Sequence, residues 1–78
     1  MPGFCLEFIL NTYSSNADFI RNSLSELGQE LEVSQLVKDD PGQEKSFKIS
    51  ILTQDPTVIF DLCAQIGKIK SVKVEERS

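Results

Sequence analysis

The sequence predicts an α+β domain with the element order βαββαβ. Three observations carry that expectation. Phe4, Leu6, Phe8 and Leu10 alternate with Cys5, Glu7 and Ile9, and Phe47, Ile49 and Ile51 alternate with Lys48, Ser50 and Leu52, which is the two-residue period of strands with one buried face. Two further stretches place apolar residues every three or four positions, the period of a helix with one buried stripe. At Asp55-Pro56 the second alternating run gives way to a helix start, because aspartate caps free amides and proline suits the first helical position.

Taken in order, the first strand is expected over about residues 4–10. A helix follows from about Asn16 to Leu27, with Ala17, Ile20, Leu24 and Leu27 on its stripe and Phe19 beside it. Ser15 is the expected N-cap, Asp18 complements the positive end of the helix dipole, and Gly28 is placed to end the helix in a left-handed conformation. Residues 31–38 are rich in strand formers, but Leu36 and Val37 break the alternation set by Leu31 and Val33, which predicts a bulge near Gln35. Asp39-Asp40-Pro41-Gly42-Gln43 reads as a turn, closing a hairpin onto the third strand at residues 46–53.

Beyond Pro56, the residues Ile59, Leu62, Cys63 and Ile66 form the second helical stripe, which Gly67 terminates. A last strand is expected from about Ile69 to Glu76, with Val72 and Val74 buried. Two right-handed crossovers of this kind place both helices on one face of a four-stranded antiparallel sheet, the ferredoxin-like arrangement, with the first and third strands central and the other face open. The expected core is Phe8, Leu10, Ile20, Leu24, Leu27, Phe47, Ile49, Ile51, Ile59, Leu62 and Val72. The first three residues and residues 75–78 read as frayed ends.

Composition narrows the function classes. A chain of 78 residues buries only about 60% of its unfolded surface, so residues 1–78 are expected to form one domain with its core from about residue 4 to 76. Its 40% hydrophobic and 26% charged residues are those of a packed globular domain. No apolar run approaches the roughly 18 residues of a membrane span, and Met1-Pro2-Gly3 leads into a strand without a signal-like segment, so a cytoplasmic location is expected. A net charge of −4 argues against a nucleic-acid partner, which needs clustered cations. The local basic runs, Lys68, Lys70 and Lys73 and the pair Lys45 and Lys48, read as solvated strand faces where lysine discourages edge pairing. Cys5 and Cys63 lack metal or redox spacing and are expected to be reduced, a disulfide requiring the first strand and second helix to bring their Cβ atoms together.

The segments Phe4-Cys5-Leu6-Glu7-Phe8, Ser23-Leu24-Ser25-Glu26-Leu27-Gly28, Lys48 to Pro56 and Gly67 to Glu75 come in an order that resembles the middle domain of the catalytic component of bacterial fatty-acid kinase, a protein with a dihydroxyacetone-kinase-like nucleotide domain. The resemblance covers about Gly3 to Glu76. It implies a site in which a cysteine on the first strand and two histidines on the third serve a metal and phosphoryl transfer to a fatty acid. Cys5 matches the cysteine, and Lys48, Thr53, Asp55 and Pro56 match their counterparts. Ser50 and Leu52 stand where the histidines would be, and the whole chain contains no histidine. Serine is a poor zinc ligand and leucine is none, so the fold carries over while the metal, any cofactor and catalysis do not. No phosphate-cradling glycine loop occurs among the four glycines.

The expected role is therefore a non-catalytic interaction or accessory domain, linked only indirectly to fatty-acid or acyl-phosphate chemistry. It would bind a protein partner or itself through Ile9 and Leu52, which are apolar on the open sheet face. Cys5, Ser50 and Leu52 mark the degenerate family site. Glu7 and Asp55 are better explained by an exposed strand face and by capping than by acid–base work. The competing expectation is a small-molecule regulatory domain of the amino-acid-sensing βαββαβ type, although residues 11–15 lack the proline and glycine of such binding loops. An acylphosphatase-like enzyme would need an arginine in a phosphate loop, whereas Arg21 falls in a helix and Arg77 in the tail.

Overall fold

Alternation along the first segment is realised as a ten-residue strand, β1 (Gly3–Thr12), whose even-numbered residues Leu6, Phe8 and Leu10 are fully buried. The structure, a computed structural model, describes residues 3–13, 16–36 and 44–77. The remaining elements are α1 (Ala17–Leu24), β2 (Gln29–Gln35), β3 (Lys45–Thr53), α2 (Pro56–Ile66) and β4 (Lys68–Arg77). The strands form one antiparallel sheet in the order β2-β3-β1-β4, with β1 and β3 central as expected.

Both helices and one face of the sheet supply a single apolar cluster. Leu6, Phe8 and Leu10 of β1 and Phe47, Ile49 and Ile51 of β3 meet Ile20 and Leu24 of α1 and Ile59 and Cys63 of α2. Phe8 and Phe60 add an edge-to-face ring contact with centroids 5.6 Å apart. The register pairs Leu6 with Ile51, Phe8 with Ile49 and Leu10 with Phe47, so the large side chains stack in layers under the helices.

Helix α2 starts as the sequence requires, with Pro56 in its first turn and the Asp55 side chain accepting from the Thr57 amide at 3.1 Å. Helix α1 departs from expectation at both ends. Its N-cap is Asn16, whose Oδ1 accepts from the Phe19 amide at 2.8 Å; the expected cap, Ser15, lies outside the described residues. The helix ends at Leu24 rather than Leu27, with the Ser25 amide donating to the Arg21 carbonyl and the chain turning through residues 25–27.

Gly28 is not a left-handed cap; its value is close approach. A Cβ there would lie 2.5 Å from the Leu52 carbonyl oxygen and 2.8 Å from the Ile51 side chain. The same closeness lets the Thr53 hydroxyl donate to the Leu27 carbonyl at 3.0 Å, tying the α1–β2 turn to the end of β3. Gly67 is tighter still, because a Cβ there would collide with the carbonyl of Asn11. Beside it, the Thr12 hydroxyl donates to the Ile66 carbonyl at 3.0 Å, satisfying one of the terminal carbonyls of α2. Gly67→Ala is expected to cost roughly 3 kcal/mol, near the upper range for single substitutions, and to lower Tm by more than about 10 °C. An unchanged Tm would mean that the α2–β4 junction can move away from β1 freely.

Further departures have physical causes. The bulge in β2 falls at Glu30–Leu31, not at Gln35: Gln29 pairs with Leu52 and Glu32 with Ser50, and Glu30 takes a φ of 52°. The broken alternation at Leu36 is the end of the strand, where the Leu36 amide donates to the Ser46 carbonyl. The expected turn at residues 39–43 lies outside the described residues, as does Val37. Leu27 and Leu62 are only half-buried, packed against the rim of the cluster. Val72, expected in the core, is 48% exposed, and Val74 is 51% exposed. Both are on the helix side, but β4 is an edge strand and the helices do not extend over it that far. Gly3 and residues 75–77, read as frayed ends, are paired strand residues.

Candidate functional site

The pleat of β1 and β3 that buries one set of side chains necessarily sends the other set to the uncovered face. There Cys5 sits directly opposite Leu52, Glu7 opposite Ser50 and Ile9 opposite Lys48. The flanking strands extend these pairs into three rows. Gln29, Leu52, Cys5 and Glu75 form the first, Glu32, Ser50, Glu7 and Lys73 the second, and Ser34, Lys48, Ile9 and Lys70 the third.

The fold thus brings Cys5, Ser50 and Leu52 together on one face, as the alternation requires. Ile9 joins the same face but not the same patch. It lies two rows from Leu52, about 13 Å at ordinary strand spacing, and the polar row of Glu7 and Ser50 intervenes. Both Ile9 and Leu52 are half-buried, so the face is less apolar than the sequence predicts. The large apolar side chains that are exposed lie elsewhere: Tyr13, Phe19, Val58, Val72 and Val74. An ion pair between Lys48 Nζ and Glu7 Oε1 at 3.9 Å crosses the rows diagonally; with both groups about half exposed it contributes at most about 1 kcal/mol.

The two cysteines are free and lie on opposite sides of the sheet. Cys63 is enclosed in the core, and burial pushes its thiol up to about 11, so it stays protonated and inert at neutral pH. Glu7 and Asp55 do not face each other: Glu7 is on the open face, while Asp55 caps α2.

Sequence reasoning missed a cleft of about 670 Å³ at one end of the sheet. Its walls include Leu27, Gly28, Leu52, Thr53, Asp55 and Arg77, contributed by the α1–β2 turn, the β3–α2 junction and the end of β4. Segments distant in sequence meet there, and only the Thr53-Gln54-Asp55 junction carried a local signal. Leu52 borders both this cleft and the Cys5 end of the open face.

A family model for the middle domain of FakA-like fatty acid kinase proteins matches residues 1–77. The chain belongs to this family. No curated protein and no solved structure matches it. Within this middle domain, the three positions implied by resemblance supply one thiol, one hydroxyl and one hydrocarbon side chain on adjacent rows. That donor set does not fit zinc, which takes thiolate, imidazole or carboxylate ligands. Among the described residues no group of three histidine, cysteine, aspartate or glutamate side chains is placed to hold a metal ion. No helix among them is long and apolar enough to cross a membrane.

Proposed function

We propose that this middle domain is a non-catalytic accessory module of a fatty acid kinase-like protein and that it acts through protein association on its open sheet face. The carrying observation is that both helices pack on one side of the sheet, leaving the Cys5–Leu52 pair and Ile9 on a side that no described element covers. The strand order β2-β3-β1-β4, read from the opposite edge as 4-1-3-2, supports the ferredoxin-like assignment of the whole chain as one domain. A cytoplasmic setting and an indirect connection to fatty-acid or acyl-phosphate chemistry go with this reading.

Leu52→Lys tests it. The substitution places a charge where a contact would desolvate it, so any association that uses this face should weaken at least about tenfold while the fold is retained. Sedimentation with circular dichroism reads both quantities. Undiminished association by a folded Leu52→Lys chain would remove the open face as the contact surface.

The cleft favours a second reading, small-molecule regulation, since Glu26, Asp55 and Arg77 are among the residues that line one concavity, although Asp55 Oδ1 accepts from the Thr57 amide and Arg77 Nε lies 4.0 Å from Glu75 Oε1. A ligand of that site would carry both charges, as a free amino acid does. Thermal stabilisation by amino acids that is lost in Arg77→Ala would favour it over association.

A further inference from the structure

The open face of the sheet is electrically divided. Around Ile9 it is basic: Lys48 stands directly opposite on β3 and Lys70 directly opposite on β4, Lys68 lies opposite Asn11 in the next row, and Lys73 lies opposite Glu7 in the row before. All four lysines are exposed, and they are half of the chain's eight cations in a protein of net charge −4, so the positive charge is gathered here rather than spread. Around Leu52 the sign reverses. Glu7, Glu32 and Glu75 lie there, and Arg77 at the margin is 4.0 Å from Glu75.

A backbone irregularity collects these lysines. Residues 70 and 73 are three apart and would take opposite faces of a regular strand. Instead, Glu7 pairs with Lys73 and Ile9 with Lys70, so two residues of β4 oppose Phe8, and Ser71 takes a φ of 54° in the bulge. The extra residue returns Lys73 to the side of Lys68 and Lys70. At ordinary sheet spacing, partners directly opposite Ile9 lie about 5 Å from it and diagonal ones about 7–8 Å, so the cations ring one half-buried aliphatic side chain. Only Lys48 has a carboxylate near, Glu7 at 3.9 Å; among the described residues no carboxylate pairs with Lys68, Lys70 or Lys73.

We propose that the basic end of the open face takes an acidic segment of a second, different protein, which sets an apolar side chain on Ile9 and carboxylates against Lys48, Lys68, Lys70 and Lys73. This deepens the open-face reading, on which it rests, by naming the chemistry of the partner. Charge complementarity carries the choice. A polyphosphate chain or an anionic membrane would extend over the acidic end as well and be repelled there by Glu7, Glu32 and Glu75, whereas a short acidic segment needs only the ring around Ile9.

Fluorescence anisotropy with a short labelled peptide, one isoleucine between two runs of glutamate, tests the site. Exposed ion pairs are weak and screened, so the chain should bind it at roughly ten to several hundred micromolar in about 20 mM salt and at least about tenfold more weakly in about 300 mM. The glutamine counterpart of the peptide should bind at least about tenfold more weakly at low salt. Lys68→Glu with Lys70→Glu should weaken binding at least about tenfold, and the milder Lys68→Gln with Lys70→Gln at least about threefold. Arg21→Glu with Lys45→Glu changes the net charge equally but on the helix side, where Arg21 lies in α1 and Lys45 opposes Thr12, and should stay within about twofold. Circular dichroism checks the fold of each variant.

A peptide that does not bind, binding indifferent to salt, equal losses in the two Glu double variants, or tighter binding of an equally charged oligonucleotide or of phosphatidylserine vesicles than of the peptide would each overturn the proposal. Leu52→Lys reads the open-face association separately. If it abolishes association while Lys68→Glu with Lys70→Glu leaves peptide binding unchanged, the open face stands and the acidic partner falls. The reverse pair of results keeps the acidic site and removes the association around Leu52.

Discussion

Ile49→Ala is expected to destabilise the fold by about 2–5 kcal/mol, most of the margin available to a small domain. Ile49 is fully buried at the centre of β3, opposite Phe8 on one side and Val33 on the other, with helix side chains above it. Alanine would remove both transfer energy and packing, and the surrounding β-sheet is hydrogen-bonded on both edges of β3, so it cannot collapse into the void. Leu24→Ala should cost a similar amount from the helix side, as Leu24 is equally enclosed. Val72→Ala, by contrast, should stay within about 0.5 kcal/mol because the residue is half exposed. Urea denaturation of the three variants distinguishes these outcomes. A midpoint unmoved by both Ile49→Ala and Leu24→Ala would contradict the packing of the cluster.

Introducing Ser50→His with Leu52→His is expected to convert a chain with no fitting zinc ligands at these positions into one that binds zinc at micromolar concentration or better. Position 52 lies directly opposite Cys5, at the roughly 4.5–5.5 Å of paired strand residues, and position 50 is the next residue on the same face of β3. Two imidazoles and a thiolate can therefore converge, with water as the fourth ligand. Cobalt reports the thiolate directly through its charge-transfer band, which should disappear when Cys5→Ser is added. If a folded double variant binds no metal, or binds it equally well without Cys5, positions 5, 50 and 52 are not the counterparts of a family metal site.

Much of the candidate site was legible because strand geometry is local. Residues two apart on a strand share a face, so Lys48 and Leu52 of β3 had to lie with Ser50 on the open side, and Glu7 and Ile9 of β1 with Cys5. Burial of both core faces excludes a slip by one residue, which would expose Phe8 and Ile49, but a slip by two keeps both faces, so the register that sets Cys5 against Leu52 was decided by the pairing of the strands. The overestimated apolar character of that face has a different origin. Ile9 and Leu52 are on the same side, but their separation by the row of Glu7 and Ser50 is a property of the pairing between two strands, not of either strand alone.

Residue types and their periods were sufficient to determine the six elements, their order, the start of α2 at Asp55-Pro56 and the burial of Leu10, Ile20, Phe47 and Ile51. These depend on contacts within one turn or one pleat, which the sequence encodes directly. Tertiary structure decided the rest. Gly28 and Gly67 are needed because another segment's backbone passes where their Cβ would be, so neither position announces its role in its own neighbours. The bulges at Glu30 and Ser71 adopt left-handed backbone without glycine, held by the strands beside them. Val72 has the right period for the core and is exposed all the same, because alternation determines which face a side chain takes while the reach of the helices determines whether anything covers it.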